Sequence, residues 1–146
     1  MSWREDTGFV YEAGPLSDAQ LQERLLAIVA GEDAADFPDG HVIEINLAAG
    51  HWLAAVAATL ARGVILLVDY GQPRADLYHP GRPGGTLRCF YRHRVHDDAL
   101  ILPGLQDITA DVDFTALAEA AIAAGLAVAG YTTQAYFLLG GGLMEW

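Results

Sequence analysis

Apolar runs and polar breaks succeed one another along the chain in a rhythm that predicts strands and helices in turn. The longest apolar run, Val64-Ile65-Leu66-Leu67-Val68, does not alternate, which is the habit of a strand covered on both faces in a parallel sheet. It stops at Asp69, Tyr70 and Gly71, where the carboxyl end of a strand in an open α/β sheet usually faces a ligand. Upstream, GFVYEAG reads as a short strand. The stretch from Leu16 to Leu21 then predicts a capping box from Ser17 to Gln20 and a Leu16/Leu21 staple, opening a helix that runs to Ala30. An acidic loop, GEDAADFPDG, precedes HVIEINL, in which Ile43, Ile45 and Leu47 alternate with Glu44 and Asn46 as in a half-buried strand. Asn46 is placed to cap a helix from Ala48 to Arg62, with Trp52, Leu53, Val56 and Leu60 at helical spacing and Gly63 as its stop.

Residues 70–112 carry little sustained period and read as a long functional loop, with β-type residues in TLRCFYRH. Asp113 then caps a helix, FTALAEAAIAA, stopped by Gly125; LAVAGY reads as a strand and TQAYFLL as a last short helix running into Gly140-Gly141-Gly142, a flexible terminus. This order, without hairpin dipeptides, predicts an α/β fold with a mainly parallel sheet and flanking helices.

Composition narrows the class. A chain of 146 residues, 53% hydrophobic, suits one domain with a packed core. No apolar run approaches the length of a membrane span, and MSWREDTGFV lacks the basic-then-apolar order of a signal peptide. The single cysteine, Cys89, excludes an internal disulfide framework, so the expectation is a soluble cytoplasmic protein in which Cys89 is a small core residue. The net charge of −11 opposes nucleic acid and anionic membranes and suits a cationic protein partner. Lysine is absent; Arg74, Arg82, Arg88, Arg92 and Arg94 are offset by aspartates of the same loop, which leaves the acidity chiefly in residues 1–40.

Candidate chemistry is sparse. No glycine-rich nucleotide turn, nucleophile elbow or paired-cysteine motif occurs. In RHRVHDD, His93 and His96 with Asp97 and Asp98 offer ligand types for a divalent metal, against which stands the plainer reading of salt-bridged loop residues; no metal site is assigned.

Four ordered blocks, LLVDYG, GTLRCFYRHRVHDD, PGLQDITADVDFTALA and YTTQAYFLL, together with WREDTGFVYEAG and VIEINLAAGHWLA, resemble the C-terminal half of the MidA-like family of S-adenosylmethionine-dependent methyltransferases. Its mitochondrial members resemble protein arginine methyltransferases used in assembling respiratory complex I. The resemblance implies the C-terminal portion of a Rossmann-like fold, with residues 1–40 as a substrate-side insertion, residues 41–146 as half of the methyltransferase domain and Val64–Asp69 as its fifth strand. Relatives carry their glycine-rich cofactor turn and an asparagine-glutamate motif upstream of anything here, so this chain is expected to bind S-adenosylmethionine only as part of a longer protein. Where relatives tend to have serine-proline, this chain has Asn46 and Leu47, and asparagine caps a helix as well as serine does.

Methyl transfer to a guanidinium nitrogen is an in-line displacement that asks the protein for orientation and for a carboxylate near the positive charge. The resemblance accordingly implies Asp69, Asp107 and Asp113 as catalytic candidates and Tyr70 and Gly71 at the cofactor side, with a cationic protein segment as acceptor. In QDITADVDF, Asp107, Thr109 and Asp111 equally suit bonds to loop amides, and Asp113 a helix cap. The alternative to an enzyme part is a non-catalytic relative that binds a partner through its acidic face; a metal-dependent hydrolase built on His93 and His96 is a third reading.

Overall fold

The computed structural model describes residues 1–30 and 37–143, so Glu32, Asp33 and Asp36 of the predicted acidic loop lie outside the described residues. The chain opens with an antiparallel hairpin, β1 (Ser2–Arg4) and β2 (Gly8–Val10), closed by Trp3 against Phe9, ring edge to face at 5.1 Å. Helix α1 spans Ala19–Val29. Its cap is Asp18 and not Ser17: extended at φ −142°, Asp18 accepts through Oδ1 from the Gln20 amide at 2.7 Å. The carboxylate one residue further on reaches an early amide of the helix directly, which displaces the predicted box by one position.

Helix α2 runs Leu47–Thr59 and is capped as expected by Asn46, whose Oδ1 accepts from the Ala49 amide at 3.1 Å. It ends three residues earlier than predicted: Leu60 turns extended at ψ 101°, so Gly63 is not its stop. After the short pieces β3 (Gly71–Gln72) and α3 (Arg74–Leu77), the predicted loop folds into a three-stranded antiparallel sheet of order β5-β4-β6, made of β4 (Arg88–Tyr91), β5 (Arg94–His96) and β6 (Asp107–Thr109). Arg92 and His93 form the two-residue turn between β4 and β5, with φ of 48° and 63°. Left-handed residues in a two-residue hairpin are usually asparagine or glycine, so no local signal announces this turn. Strand β7 (Val112–Asp113) pairs with β3 in parallel and leads into α4 (Phe114–Ala123), which ends where Gly125 adopts φ 82°. Helix α5 (Gln134–Gly140) is capped by Thr133 and closed by Gly141, so the first two of the three terminal glycines belong to a helix end.

Two small cores hold these pieces. Ile28, Leu77 and Tyr78 are buried together, with Ile43 and Ile45 packed against them. Helices α2 and α4 pack against each other with Leu53 and Leu117 buried, and Gly50 faces Ala120, where a Cβ would make an ordinary 3.6 Å contact. Cys89, in the central strand β4 of the three-stranded sheet, is fully buried, as its core reading required.

The three segments expected to form the main strands behave differently from the reading. Residues 42–46, 64–69 and 126–131 join no ladder, and the only parallel pair among the described residues is β3 with β7. Val64 and Val68, expected to be covered on both faces, are 85% and 68% exposed. The strand-like sequence is present; the neighbours that would satisfy its backbone and cover its side chains are not among the described residues.

Candidate functional site

A cleft of about 1620 Å³ lies between α1, the start of α2, residues 66–69 and α4. Much of its wall is apolar, from α2 and α4, but its charged groups among the described residues are carboxylates, Asp18, Glu23, Glu44, Asp69, Asp111, Asp113 and Glu119, against the single arginine Arg24. Five of the seven already accept hydrogen bonds, Glu44 from Thr86 and Leu87, Asp69 from the Tyr70 amide, and three more. Asp18 caps α1; Asp113 caps α4 through Oδ1, accepting from the Ala116 amide at 2.8 Å, while its Oδ2 lies 3.5 Å from Arg74 Nε. Glu119 receives a two-pronged donation from Arg74, Nη1 to Oε1 at 2.8 Å and Nη2 to Oε2 at 2.6 Å, and a further bond from Arg24 at 2.9 Å.

Charge-assisted bonds of this kind favour the ionised forms. The hydrogen bonds from Arg74 hold the Glu119 carboxyl below its ordinary range, and those to Glu119 hold the Arg74 guanidinium above its own. The network ties α1, α3 and α4 together, and Arg74 adds a backbone bond, donating from its amide to Thr115 Oγ1 at 3.0 Å. Sequence separations of 45 and 95 residues left no local signal for these partners.

The cleft floor is fixed by Tyr78 and Glu44. Tyr78 is buried and donates from its hydroxyl to the Glu44 carbonyl at 3.2 Å. Burial, reinforced by the charge of Asp113, pushes its pKa up to about 12. The Glu44 side chain accepts from the Thr86 amide at 2.9 Å, the Thr86 hydroxyl at 3.1 Å and the Leu87 amide at 3.3 Å. Thr86 Oγ1 in turn accepts from the Asp111 amide at 2.9 Å, so one glutamate organises the loop that ends at β7. Gly85 makes room for it: with φ 67° and the Glu44 carboxylate against its Cα, no side chain fits. A half-buried acid in an alternating apolar stretch, followed downstream by a Gly-Gly-Thr turn, is the signal by which Glu44 could have been found.

Of the residues singled out by sequence, Asp69 and Asp113 line the same cleft and Asp107 does not. Asp107 sits exposed in β6, opposite Phe90. Asp69 is exposed and uses Oδ1 to accept from the Tyr70 amide at 2.8 Å. Tyr70 is 88% exposed, and its carbonyl accepts from Val112 at 2.9 Å. Gly71 is hemmed in by the Val112 carbonyl and the Phe114 ring, so its missing Cβ is explained by the β3–β7 contact. His93 occupies a hairpin turn and His96 faces Cys89 across the ladder; among the described residues no cluster of three or more ligating side chains is set to hold a metal. No described helix is long and apolar enough to cross a membrane.

Residues 2–132 match the family of S-adenosyl-L-methionine-dependent methyltransferases. The chain belongs to this family. Among curated relatives, it is 49% identical over 55 residues to the mouse mitochondrial protein arginine methyltransferase NDUFAF7, an alignment covering 38% of this chain and 11% of that protein. The zebrafish counterpart is 40% identical over 81 residues, covering 54% of this chain and 17% of that protein. Two crystal structures of Burkholderia thailandensis proteins match 99% of the chain. One, bound to S-adenosyl-homocysteine, is 42% identical with a TM-score of 0.86; the other, a native structure, is 43% identical with a TM-score of 0.87. The chain spans 35% and 37% of those two proteins. It therefore has the α/β fold of a portion of these structures.

Membership implies S-adenosylmethionine as the family's cofactor, and the residues present can be tested against it. Adenosine and carboxylate groups are held by free amides at a glycine-rich turn opening a helix. Here the first amides of α2 and α4 are occupied by the side chains of Asn46 and Asp113, and the surroundings of Gly71 are filled by Val112 and Phe114. The described residues alone do not form a cradle for the cofactor.

Proposed function

We propose that this chain supplies the acceptor side of a protein methyltransferase and that its acidic cleft receives a cationic segment, an arginine side chain first among them. The observation that carries the reading is the imbalance of the cleft's charged groups, where seven carboxylates face one arginine and Asp69 and Glu23 make no ion pair among the described residues. A guanidinium entering there exchanges water for a planar, two-pronged acceptor, the geometry that favours arginine over lysine. Asp69, at the end of the strand-like segment, is assigned to orient the acceptor nitrogen and to balance its charge; Asp113 and Glu119 hold the wall in place through Arg74. The methyl group comes from the cofactor held by the rest of a family protein, and this chain's part is recognition and orientation. The mouse and zebrafish relatives, named as protein arginine methyltransferases, support the choice of acceptor.

The test is titration of the chain with a labelled arginine-containing peptide and its lysine and citrulline versions. The arginine peptide should bind most tightly, lose affinity by about tenfold or more between low and physiological salt, and lose several-fold more with Asp69→Asn or Glu23→Gln. Equal binding of the citrulline peptide, or indifference to both substitutions, refutes the reading.

A further inference from the structure

We infer that a second pocket, beside the acidic cleft, holds an acidic residue of the acceptor segment through Arg82 and Arg88. The preferred acceptor is then an arginine with a carboxylate a short way along the same extended chain. The inference rests on the acceptor reading of the cleft and narrows it to a class of substrate.

The pocket has a volume of about 540 Å³ and is lined by residues 82–86 with Arg88, Asp97 and Asp111. Asp111 also lines the cleft, so the two cavities meet at that residue and one extended segment can occupy both. Two guanidiniums and two carboxylates share the pocket, yet none of the four forms an ion pair among the described residues. Arg24 and Arg74, by contrast, are tied to Glu119. Arg88 donates from Nη1 to the Leu87 carbonyl at 2.7 Å, and the Arg82 side chain donates to no described residue. Most of the five N–H donors on each guanidinium are therefore open to a ligand.

The backbone that carries them is fixed in advance. The Arg82 amide donates to the His79 carbonyl at 2.9 Å, the Gly85 amide donates to the Arg82 carbonyl at 3.2 Å, and the Pro83 carbonyl accepts from Val42 at 2.9 Å. Glu44 takes the amides of Thr86 and Leu87. The Gly84 amide is left without a partner among the described residues, and nothing lies within 4 Å of the place a Cβ there would take. A turn held in this way loses little backbone freedom when an anion binds to it.

The balance of charge selects the ligand. A lone cation is better served by the cleft, with seven carboxylates against one arginine. A phosphate, with close to two negative charges, is opposed by Asp97 and Asp111 about twice as strongly as a carboxylate. A carboxylate matches the planar, two-pronged donation of arginine, and the main-chain amides of an extended segment are donors for the two aspartates. The net charge of −11 repels acidic peptides as a whole, so a carboxylate that improves binding does so by local contact.

The experiment titrates the full chain with labelled glycine-serine peptides. One carries a single arginine, a series adds one glutamate at successive positions on either side of it, and matched peptides carry glutamine or phosphoserine instead. At one spacing the glutamate should tighten binding about fivefold over the arginine-only peptide, glutamine should not, and phosphoserine should gain less than glutamate. Arg82→Gln with Arg88→Gln changes two exposed side chains, so circular dichroism and arginine-only affinity should stay while the glutamate gain is lost. A peptide with the glutamate and no arginine, followed by amide NMR at high peptide concentration, should shift Gly84, Gly85 and Thr86 in the chain and not in the double variant. Where the arginine-only peptide binds, equal or weaker binding at every glutamate position, a gain that survives the double variant, or a larger gain with phosphoserine overturns the inference. Shifts at Gly84, Gly85 and Thr86 without any arginine-dependent binding leave the anion pocket standing and refute the acceptor reading; arginine binding without those shifts does the reverse.

Discussion

Tyr78 shows how one residue can serve a core and a cleft at once. Its ring packs with Ile28 and Leu77, and its hydroxyl donates to the Glu44 carbonyl. Because burial raises its pKa from 10.0 to about 12, the folded chain keeps a proton that the unfolded chain has already lost between those values. Stability should then be full below pH 10 and fall as pH rises towards 12, by on the order of 1–2 kcal/mol. Tyr78→Phe should flatten that limb and cost about 1 kcal/mol at neutral pH for the lost bond to a half-buried carbonyl. Urea unfolding of both proteins at several alkaline pH values reads the two effects separately; an unchanged limb in Tyr78→Phe would assign the drop to another group.

Elements were legible wherever their signals were local. The caps of α2 and α4 and the left-handed glycine after α4 follow from neighbouring residues, the burial of Cys89 from its residue type, and the structure has them; the sequence reading places Thr133, the cap of α5, inside the helix itself. Helix α1 marks the edge of that resolution, since Ser17 and Asp18 are both capping residues and only geometry chooses between them. Asp18→Ala should cost about 1 kcal/mol, and Ser17→Ala close to nothing, in thermal or urea unfolding; the reverse order would restore the predicted capping box. What could not be read needed distant partners. The Arg92-His93 turn takes its left-handed shape from the sheet around it, and the bonds of Arg74 and Arg24 to Glu119 join residues far apart in sequence. In the cleft, sequence reached Asp69 and Asp113 through their positions at element ends, but it missed Glu44, whose role depends on a turn 42 residues away. The strand reading of Val64–Val68 captured an intrinsic preference for extended backbone; covering that strand takes chain that residues 64–69 do not meet here.

At the scale of the whole molecule, the decisive quantity is how little surface folding removes. An unfolded chain of 15.6 kDa exposes roughly 22,600 Å², and a domain of this size ordinarily buries about 68–70% of it. With 11098 Å² still exposed, this chain buries only about half, roughly three quarters of the normal amount. The dependence of unfolding free energy on denaturant scales with the area exposed on unfolding, so the urea m-value should be about three quarters of that of an ordinary 146-residue domain. The net charge of −11 opposes self-association through the exposed side chains of Val64, Leu66 and Val68, so low salt is where the measurement is cleanest and high salt where oligomers should appear first. Leu66→Glu with Val68→Glu should suppress those oligomers without altering the m-value, because both side chains are exposed before unfolding as well as after. An m-value at the full size expectation would mean that residues 64–69 are already covered in solution.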